Sequence, residues 1–408
     1  MKKFFKFIGF LILIAVVCIG SIHINEHIKS VKNNIETASA LVFTPIDKDG
    51  NVVEEETKKD ENVAKAEDTS AETEETVDEK VVVAYMVGDG TTKNSNAIKK
   101  ENIRDIVIPA EYKGLPVVKI GQYAFAESKI EHITIPDCIK TIENHAFYNA
   151  VRFNTFNTRS VETIGESAFD KTAIKDITLG AGLKKIGNSA FAHNSFIENL
   201  IVESNQIEDL QADNNVFALT GRYGNCKITF GDAVERVPAY MFMPTSTMSI
   251  DTGFKFDTIE FNNVKEIGNC AFAGCSYLIN FNLDKVEKIG KSAFALNFVA
   301  ENIVLNGAKN IEIGAFRYWE KLKTVFISKD VLKILGSDTA SQCVFAPSPY
   351  DTDTAVIFYT DAETLPEGWA SSNFTYKDSN GEEKFSLVYN TTYEDYLKLI
   401  SSTADANA

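Results

Sequence analysis

A chain of 408 residues that is 44% apolar and 24% charged holds enough apolar material for two or three globular domains. Its formal net charge of -16 excludes a nucleic-acid binder working through a basic surface. Half of that imbalance lies between Glu54 and Lys80, where twelve acidic residues stand against four lysines.

The chain starts Met1-Lys2-Lys3-Phe4-Phe5-Lys6 and then carries no charged residue until Glu26. Phe7 to Ile22 is almost wholly apolar, at the lower limit for a bilayer span and longer than a usual signal-peptide core. Residues 1–24 are therefore expected to direct export, as an N-terminal membrane anchor with its lysines inside, the orientation the positive-inside rule predicts, or as a cleaved signal peptide; the anchor is favoured because Ala38-Ser39-Ala40, the small-x-small site, lies too far beyond the apolar run. Residues 25–80 are expected to form a juxtamembrane segment and an acidic, disordered stalk. Between 45 and 80 there is no aromatic residue, and such composition cannot bury enough apolar surface to offset chain entropy. Val87-Gly88-Asp89-Gly90 is followed by turn residues rather than a helix start, which places it in a hairpin of an N-terminal cap and not in a phosphate loop.

From there the pair Ala-Phe recurs. Ala124-Phe125, Ala146-Phe147, Ala168-Phe169 and Ala190-Phe191 follow one another every 22 residues, and Ala271-Phe272, Ala293-Phe294 and Ala315-Phe316 resume the beat. An Ile stands five positions before each Phe, usually with Gly after it, as in Ile186-Gly187 and Ile289-Gly290. Eight or nine positions after the Phe a short alternating segment begins, such as Ile177-Thr178-Leu179 or Ile303-Val304-Leu305, the mark of a strand with one buried face. A period of 20 to 29 residues predicts a solenoid of stacked coils that cannot fold singly. The expected fold is an α/β solenoid of roughly nine coils, capped at both ends, with one short parallel strand and a short helical turn per coil. Between Phe191 and Phe272 the beat slips: Phe217 and Phe242 sit at intervals of 26, 25 and 30 residues, so coils between 205 and 263 carry longer loops. The array is expected to span 81–375. After it, Phe374-Thr375-Tyr376 and Phe385 to Tyr389 flank the turn signal Asp378 to Gly381, which predicts a hairpin, and Thr392 starts a short helix ending near Ile400. Residues 376–408 thus read as a hairpin and helix cap with a tail.

The repeat resembles that of the BspA-like leucine-rich repeat family of bacterial surface proteins, which runs roughly Ile-Gly-x-x-Ala-Phe-x-x-Cys-x-x-Leu-x-x-Ile-x-Ile-Pro. Residues Ile267 to Leu278 follow it most fully. The resemblance covers about 81 to 375 and implies adhesion or interaction as a class of function, while leaving the variable face undefined.

Five cysteines beyond the apolar segment, Cys138, Cys226, Cys270, Cys275 and Cys343, are odd in number and scattered, and read as small thiols rather than a disulfide framework. His132, His145 and His193 share no stripe and have no partner at metal-ligand spacing. No nucleophile elbow, phosphate loop or metalloprotease helix is present, so no catalytic residue, cofactor or metal is expected and the chain does not read as an enzyme.

The remaining candidate is the outward side of the sheet, where residues between and beside the buried pair of each strand face solvent. Asn crowds its C-terminal half. The candidate partner-binding face is Thr258, Glu260, Asn262, Asn280, Asn282, Asn302, Val304 and Asn306, flanked by an exposed Phe326. The expected function is a cell-surface binding or adhesion protein engaging a protein or glycan at the cell exterior, membrane-held through the N-terminal segment only, or secreted if that segment is cleaved. The alternative is an envelope spacer without a specific soluble ligand. Oligomeric state is not legible.

Overall fold

The computed structural model describes residues 39–54, 81–99, 103–157, 159–221, 226–244, 254–336, 343–345, 355–377 and 380–405. The predicted export segment and residues 55–80 lie outside the described residues.

The core is built on the Phe. Phe125, Phe147, Phe169, Phe191, Phe217, Phe242, Phe272, Phe294, Phe316 and Phe345 form one stack, neighbouring ring centroids lying 5.0 to 5.6 Å apart. Every ring is at most 2% exposed. The irregular coils therefore keep the same core position as the regular ones, and Val344-Phe345 supplies a further register that lacks the Ala and so escaped the sequence pattern. Phe254 and Phe256, both 1% exposed, pack beside Phe242 and fill the enlarged coil.

The Ala-Phe segment is a hydrogen-bonded turn, not the expected helical turn. In coil after coil the residues two before and two after the Phe have positive φ: Tyr123 and Glu127, His145 and Asn149, Ser167 and Lys171, Ser189 and His193. Left-handed residues at both ends leave no room for a right-handed helix. The strained turns are tied coil to coil instead, with Phe125 N–H donating to Ala146 O and Phe147 N–H to Ala168 O, each at 2.7 Å.

Each regular coil contributes two strands rather than one. Long strands pair in parallel from Asp105–Val107 through His132–Thr134, Thr155–Asn157, Asp176–Leu179, Asn199–Val202, Lys227–Phe230 and Thr258–Phe261 to Asn280–Phe281, eight in all. Four more, Asn302–Leu305, Thr324–Ile327, Val356–Tyr359 and Phe385–Val388, form a second parallel sheet. The twelve strands of these two ladders among the described residues, Asn280–Phe281 being the one cut to two residues, thus exceed the nine coils expected. After Ile120, which ends the six-residue strand Leu115–Ile120, the Ile before the Phe sits in a two-residue strand such as Lys185–Ile186 or Lys288–Ile289, and these pair in parallel on another side of the coil. The long-strand sheet runs unbroken through the irregular coils, in register from Asn199–Val202 to Lys227–Phe230 to Thr258–Phe261. The extra residues are therefore accommodated in loops and not in the strands.

Gly between the short strand and the turn is a matter of clearance. A Cβ on Gly268 would lie 2.5 Å from the Ala239 nitrogen of the preceding coil, and one on Gly165 equally close to Asn144 N, although neither has positive φ. Backbones of adjacent coils approach there as only Gly allows.

Both ends differ from expectation. Phe43–Ile46, placed in the stalk by composition, pairs antiparallel with Ala84–Val87, which in turn pairs in parallel with Leu115–Ile120. Leu41 and Ile46 are buried, and the Phe43 ring stacks on Tyr112 at 4.3 Å, so residues 39–54 belong to the cap. The segment after Gly88 is not a hairpin but a further turn of the array: Ser95 has the same positive φ as Tyr123, and Ala97 N–H donates to Ala124 O. At the other end Phe374 closes a 3-10 turn, Ser371–Phe374. The predicted hairpin is reduced to one antiparallel bridge, Lys377 to Glu383, with Lys384 N–H donating to Tyr376 O, and Phe385–Val388 then continues the parallel ladder, so the repeat extends past 375. A helix, α1, spans Tyr393–Asp405, five residues beyond the expected end. Its N-cap is Thr392, whose hydroxyl accepts from Asp395 N–H and donates to the Asp395 carboxylate.

Candidate functional site

Alternation in the long strands turns every second side chain outward. In Asn199–Val202 the pattern is exposed, buried, exposed, buried. Thr258, Glu260, Asn262, Asn280, Asn282, Asn302, Val304 and Asn306 all lie at outward or strand-end positions, exposed except for half-buried Thr258 and Val304. Thr258 stands opposite Asn280 in the ladder, and Asn280 Nδ2 donates to Thr258 Oγ1 at 3.4 Å. Glu260 is engaged by Lys227 at 2.6 Å and by the Thr229 hydroxyl at 3.2 Å. The Lys227 hydrogen bond holds its carboxyl below the usual range.

The amide group is not one continuous patch. The first long-strand sheet ends at Asn280–Phe281 and the second begins at Asn302–Leu305. Asn282 folds its Oδ1 back to accept the Asp284 N–H at 2.7 Å, while its Nδ2 donates to the Asp284 carboxylate at 3.1 Å. A side chain thus takes the backbone donor that would have extended the strand. Asn280 and Asn282 lie on one side of this break, Asn302 and Asn306 on the other. Lys285 reaches across the first group to donate to Asn262 O at 2.7 Å.

Phe326 is the one member of the set whose setting is reversed. It was expected to be exposed, but it is 1% exposed. The register is as anticipated, with Val304, Phe326 and Tyr359 side by side. What changes its environment is α1, which lies over this part of the face. Tyr393 and Tyr396 bring their rings to 5.3 and 5.5 Å from Phe326, and Tyr396 lies 5.6 Å from Tyr359. The hydroxyls of Tyr396 and Thr324 are 2.8 Å apart, and Thr324 donates to Asn302 Oδ1 at 2.6 Å. Burial pushes the Tyr396 hydroxyl up to about 12. It also raises that of Tyr393, with the Asp284 charge adding to the effect. No local sequence signal joins Tyr396 to Phe326, because the contact spans 70 residues of chain and depends on where the array ends.

Other outward positions pair with the next coil. His132 Nδ1 meets Asp105 at 2.8 Å, and Asn199 Nδ2 donates to Asp176 at 2.6 Å. On the turn side His193 meets Asp170 at 2.7 Å, and His145 stacks on Tyr123 at 4.8 Å. None of these five cysteines is joined in a disulfide; Cys226, Cys275 and Cys343 are buried and Cys138 and Cys270 half-buried. Burial pushes Cys226 up to about 12 and raises Cys275 further, so both stay protonated near neutrality. Among the described residues no group of three or more His, Cys, Asp or Glu side chains is placed to hold a metal ion. No helix among them is long and apolar enough to cross a membrane.

A profile for the BspA type leucine-rich repeat region matches in six copies over residues 118–249 and 251–345, more than half of the chain. The chain belongs to the BspA-type leucine-rich repeat family. This is a family of bacterial surface proteins, and the matched residues take in both the regular coils and the irregular ones around Phe217 and Phe242. Among solved structures, a leucine-rich repeat protein from Bacteroides ovatus is 20% identical, with 75% of this chain and 74% of that one covered and a TM-score of 0.40. The pneumococcal vaccine antigen PcpA is 18% identical over 78% of this chain and 91% of its own, with a TM-score of 0.33. A leucine-rich cell surface protein from Faecalibacterium prausnitzii is 17% identical over 65% and 90%, with a TM-score of 0.27. No curated protein matches the chain.

Proposed function

We propose that this BspA-type chain is a cell-surface binding protein that presents the outer face of its long-strand sheets to a protein or glycan outside the cell. The observation behind this reading is the run Thr258, Glu260, Asn262, Asn280, Asn282, Asn302 and Asn306. These polar side chains stand at or beside outward strand positions, on a scaffold whose core side is closed by the Phe stack. Strands spaced about 4.8 Å apart hold such groups at fixed intervals, the arrangement an extended ligand can meet with several hydrogen bonds. In this reading residues 1–24 anchor or export the chain and 55–80 act as an acidic spacer that carries the array away from the membrane. No reaction is assigned to it.

A second reading, an envelope spacer without a specific ligand, draws on the pairings within the face. Asp105 with His132, Asp176 with Asn199, Lys227 with Glu260 and Asn302 with Thr324 satisfy one another across coils. The test is a glycan array combined with cell-surface pulldown, using residues 39–408 so that the cap strand Phe43–Ile46 is retained. Saturable capture of one glycan class or one protein supports the binder. Absence of capture from both supports the spacer.

A further inference from the structure

We propose that α1 is a displaceable cover over an aromatic patch of the sheet face, and not a fixed part of the cap that closes the array. At the same outward register the earlier long strands carry Thr134, Thr178, Ile201, Thr229, Glu260 and Asn282, none of them buried. At Phe326 and Tyr359 the register turns aromatic, and there α1 lies on it. An aromatic pair on a solvent face would be an exposed apolar patch, and α1 is what hides it.

The helix is held through its first turn, where Tyr396 is fully buried, Tyr393 and Tyr396 make the ring contacts with Phe326 and Tyr359, and the Tyr396 hydroxyl pairs with Thr324. Further along, Leu397 and Leu399 are 38% and 44% exposed. The end of the core is closed without it: Phe374 and Phe385 pack on Phe358 at 5.2 and 5.3 Å, Tyr376 lies on Phe385 at 5.4 Å, and the Trp369 indole donates to Val331 O at 2.7 Å. Lifting α1 therefore uncovers the face and leaves the core shut.

A hinge is also present. Asn390 N–H and Thr391 N–H donate to Ala362 O and Thr360 O, which pins the chain just before the helix. Asn390 has positive φ, and Thr392 caps the helix, so the pinned Asn390-Thr391 and the capped helix meet at the Thr391–Thr392 link, the point about which α1 can swing as one piece. Cover and hinge follow from the packing alone. Their use in regulating capture, by adding Phe326 and Tyr359 to the surface when open, rests on the proposed binding face.

The test uses the chain from residue 39 to 408 and the dye 1-anilinonaphthalene-8-sulfonate, which reports exposed apolar surface without any natural ligand. In the unaltered protein, α1 amides should exchange with solvent at least about tenfold faster than those of Val325 and Phe358, because local opening costs less than unfolding the strands. The variant Tyr393→Ala with Tyr396→Ala should gain several-fold dye fluorescence and keep protection at 356–359 and 385–388. Adding Phe326→Ser should remove the gain. Equal exchange of α1 and the strands in the unaltered protein overturns the proposal, as does a double variant that unfolds, loses protection at 356–388 or gains no dye signal. Because no binding partner enters the experiment, its failure leaves the binding-face reading standing, and failure of capture leaves the cover standing.

Discussion

The hydroxyls of Thr324 and Tyr396 lie 2.8 Å apart beneath α1, and the Thr324 hydroxyl donates to Asn302 Oδ1, so helix, strand and amide row share one hydrogen-bonded chain. Burial raises the Tyr396 hydroxyl from its ordinary 10.0 to about 12. A group whose pKa is raised on folding contributes stability below its unfolded value and loses it as pH climbs through the folded one. Docking of α1 should therefore weaken between about pH 10 and 12, with near-ultraviolet dichroism of the tyrosines reporting the change. Tyr396→Phe keeps the ring and should shrink this step to the part that Tyr393, raised by burial in the same contact, contributes; an unchanged step in that variant belongs to another group.

Phe294 sits between Phe272 and Phe316, with centroids at 5.2 and 5.5 Å, and also meets Phe281 at 5.6 Å. Phe294→Ala should cost about 3 to 5 kcal/mol, since a stacked coil cannot collapse sideways into the gap. Each coil touches only its neighbours, so hydrogen exchange should rise first between residues 267 and 327. A rise spread evenly along the array would contradict nearest-neighbour coupling.

Two glycines with ordinary φ separate clearance from flexibility. On Gly268 a Cβ would stand 2.5 Å from Ala239 N and 2.8 Å from its Cα, whereas on Gly182 the nearest atom is a backbone oxygen at 3.7 Å. Gly268→Ala should force neighbouring coils apart and cost about 1 to 3 kcal/mol. Gly182→Ala should be neutral or raise stability by up to about 1 kcal/mol by restricting the unfolded chain. Melting temperatures of the two variants measured together decide the matter; equal losses would mean that the close approach at Gly268 is not what selects Gly.

The core was readable from the sequence because it is local and periodic: the Ile, the Ala-Phe and the alternating strand recur within one coil, and each lands in its expected buried place. What was missed is what the period does not carry. Positive φ at Tyr123, Ser167 and Ser189 turns the expected helix into a hydrogen-bonded turn, and these are residues with no strong left-handed preference, held there by bonds from the next coil. Val344 stands in the Ala place before Phe345, and Ala97 stands in the Phe place of its turn, so both registers fell below the pattern. Phe43–Ile46 was assigned to the stalk because its acidic neighbours dominate the composition, while its pairing with Ala84–Val87 bridges about 40 residues. At the candidate face, outward orientation followed from strand alternation, and the covering of Phe326 did not, since that depends on a distant helix.

The binding face makes the most exposed prediction. Asn280, Asn282 and Asn306 are exposed and outside the contact with α1, whereas Asn302 accepts the Thr324 hydroxyl and is better left in place. Changing the three together to Ser should preserve the fold; Ser at 282 can still accept the Asp284 N–H that Asn282 Oδ1 takes at 2.7 Å. Each lost polar partner in a recognition site is worth about 0.5 to 1.5 kcal/mol, so capture of whichever glycan or protein the array identifies should weaken at least about tenfold. Lys291→Ser, exposed beside the buried Ala293-Phe294 turn, is the control and should leave capture unchanged. Retained affinity in the triple variant would remove these amides from the site. If replacing the segment from Gln206 to Arg236 by a regular coil then abolished capture, the long loops of the irregular coils would take their place as the surface that binds.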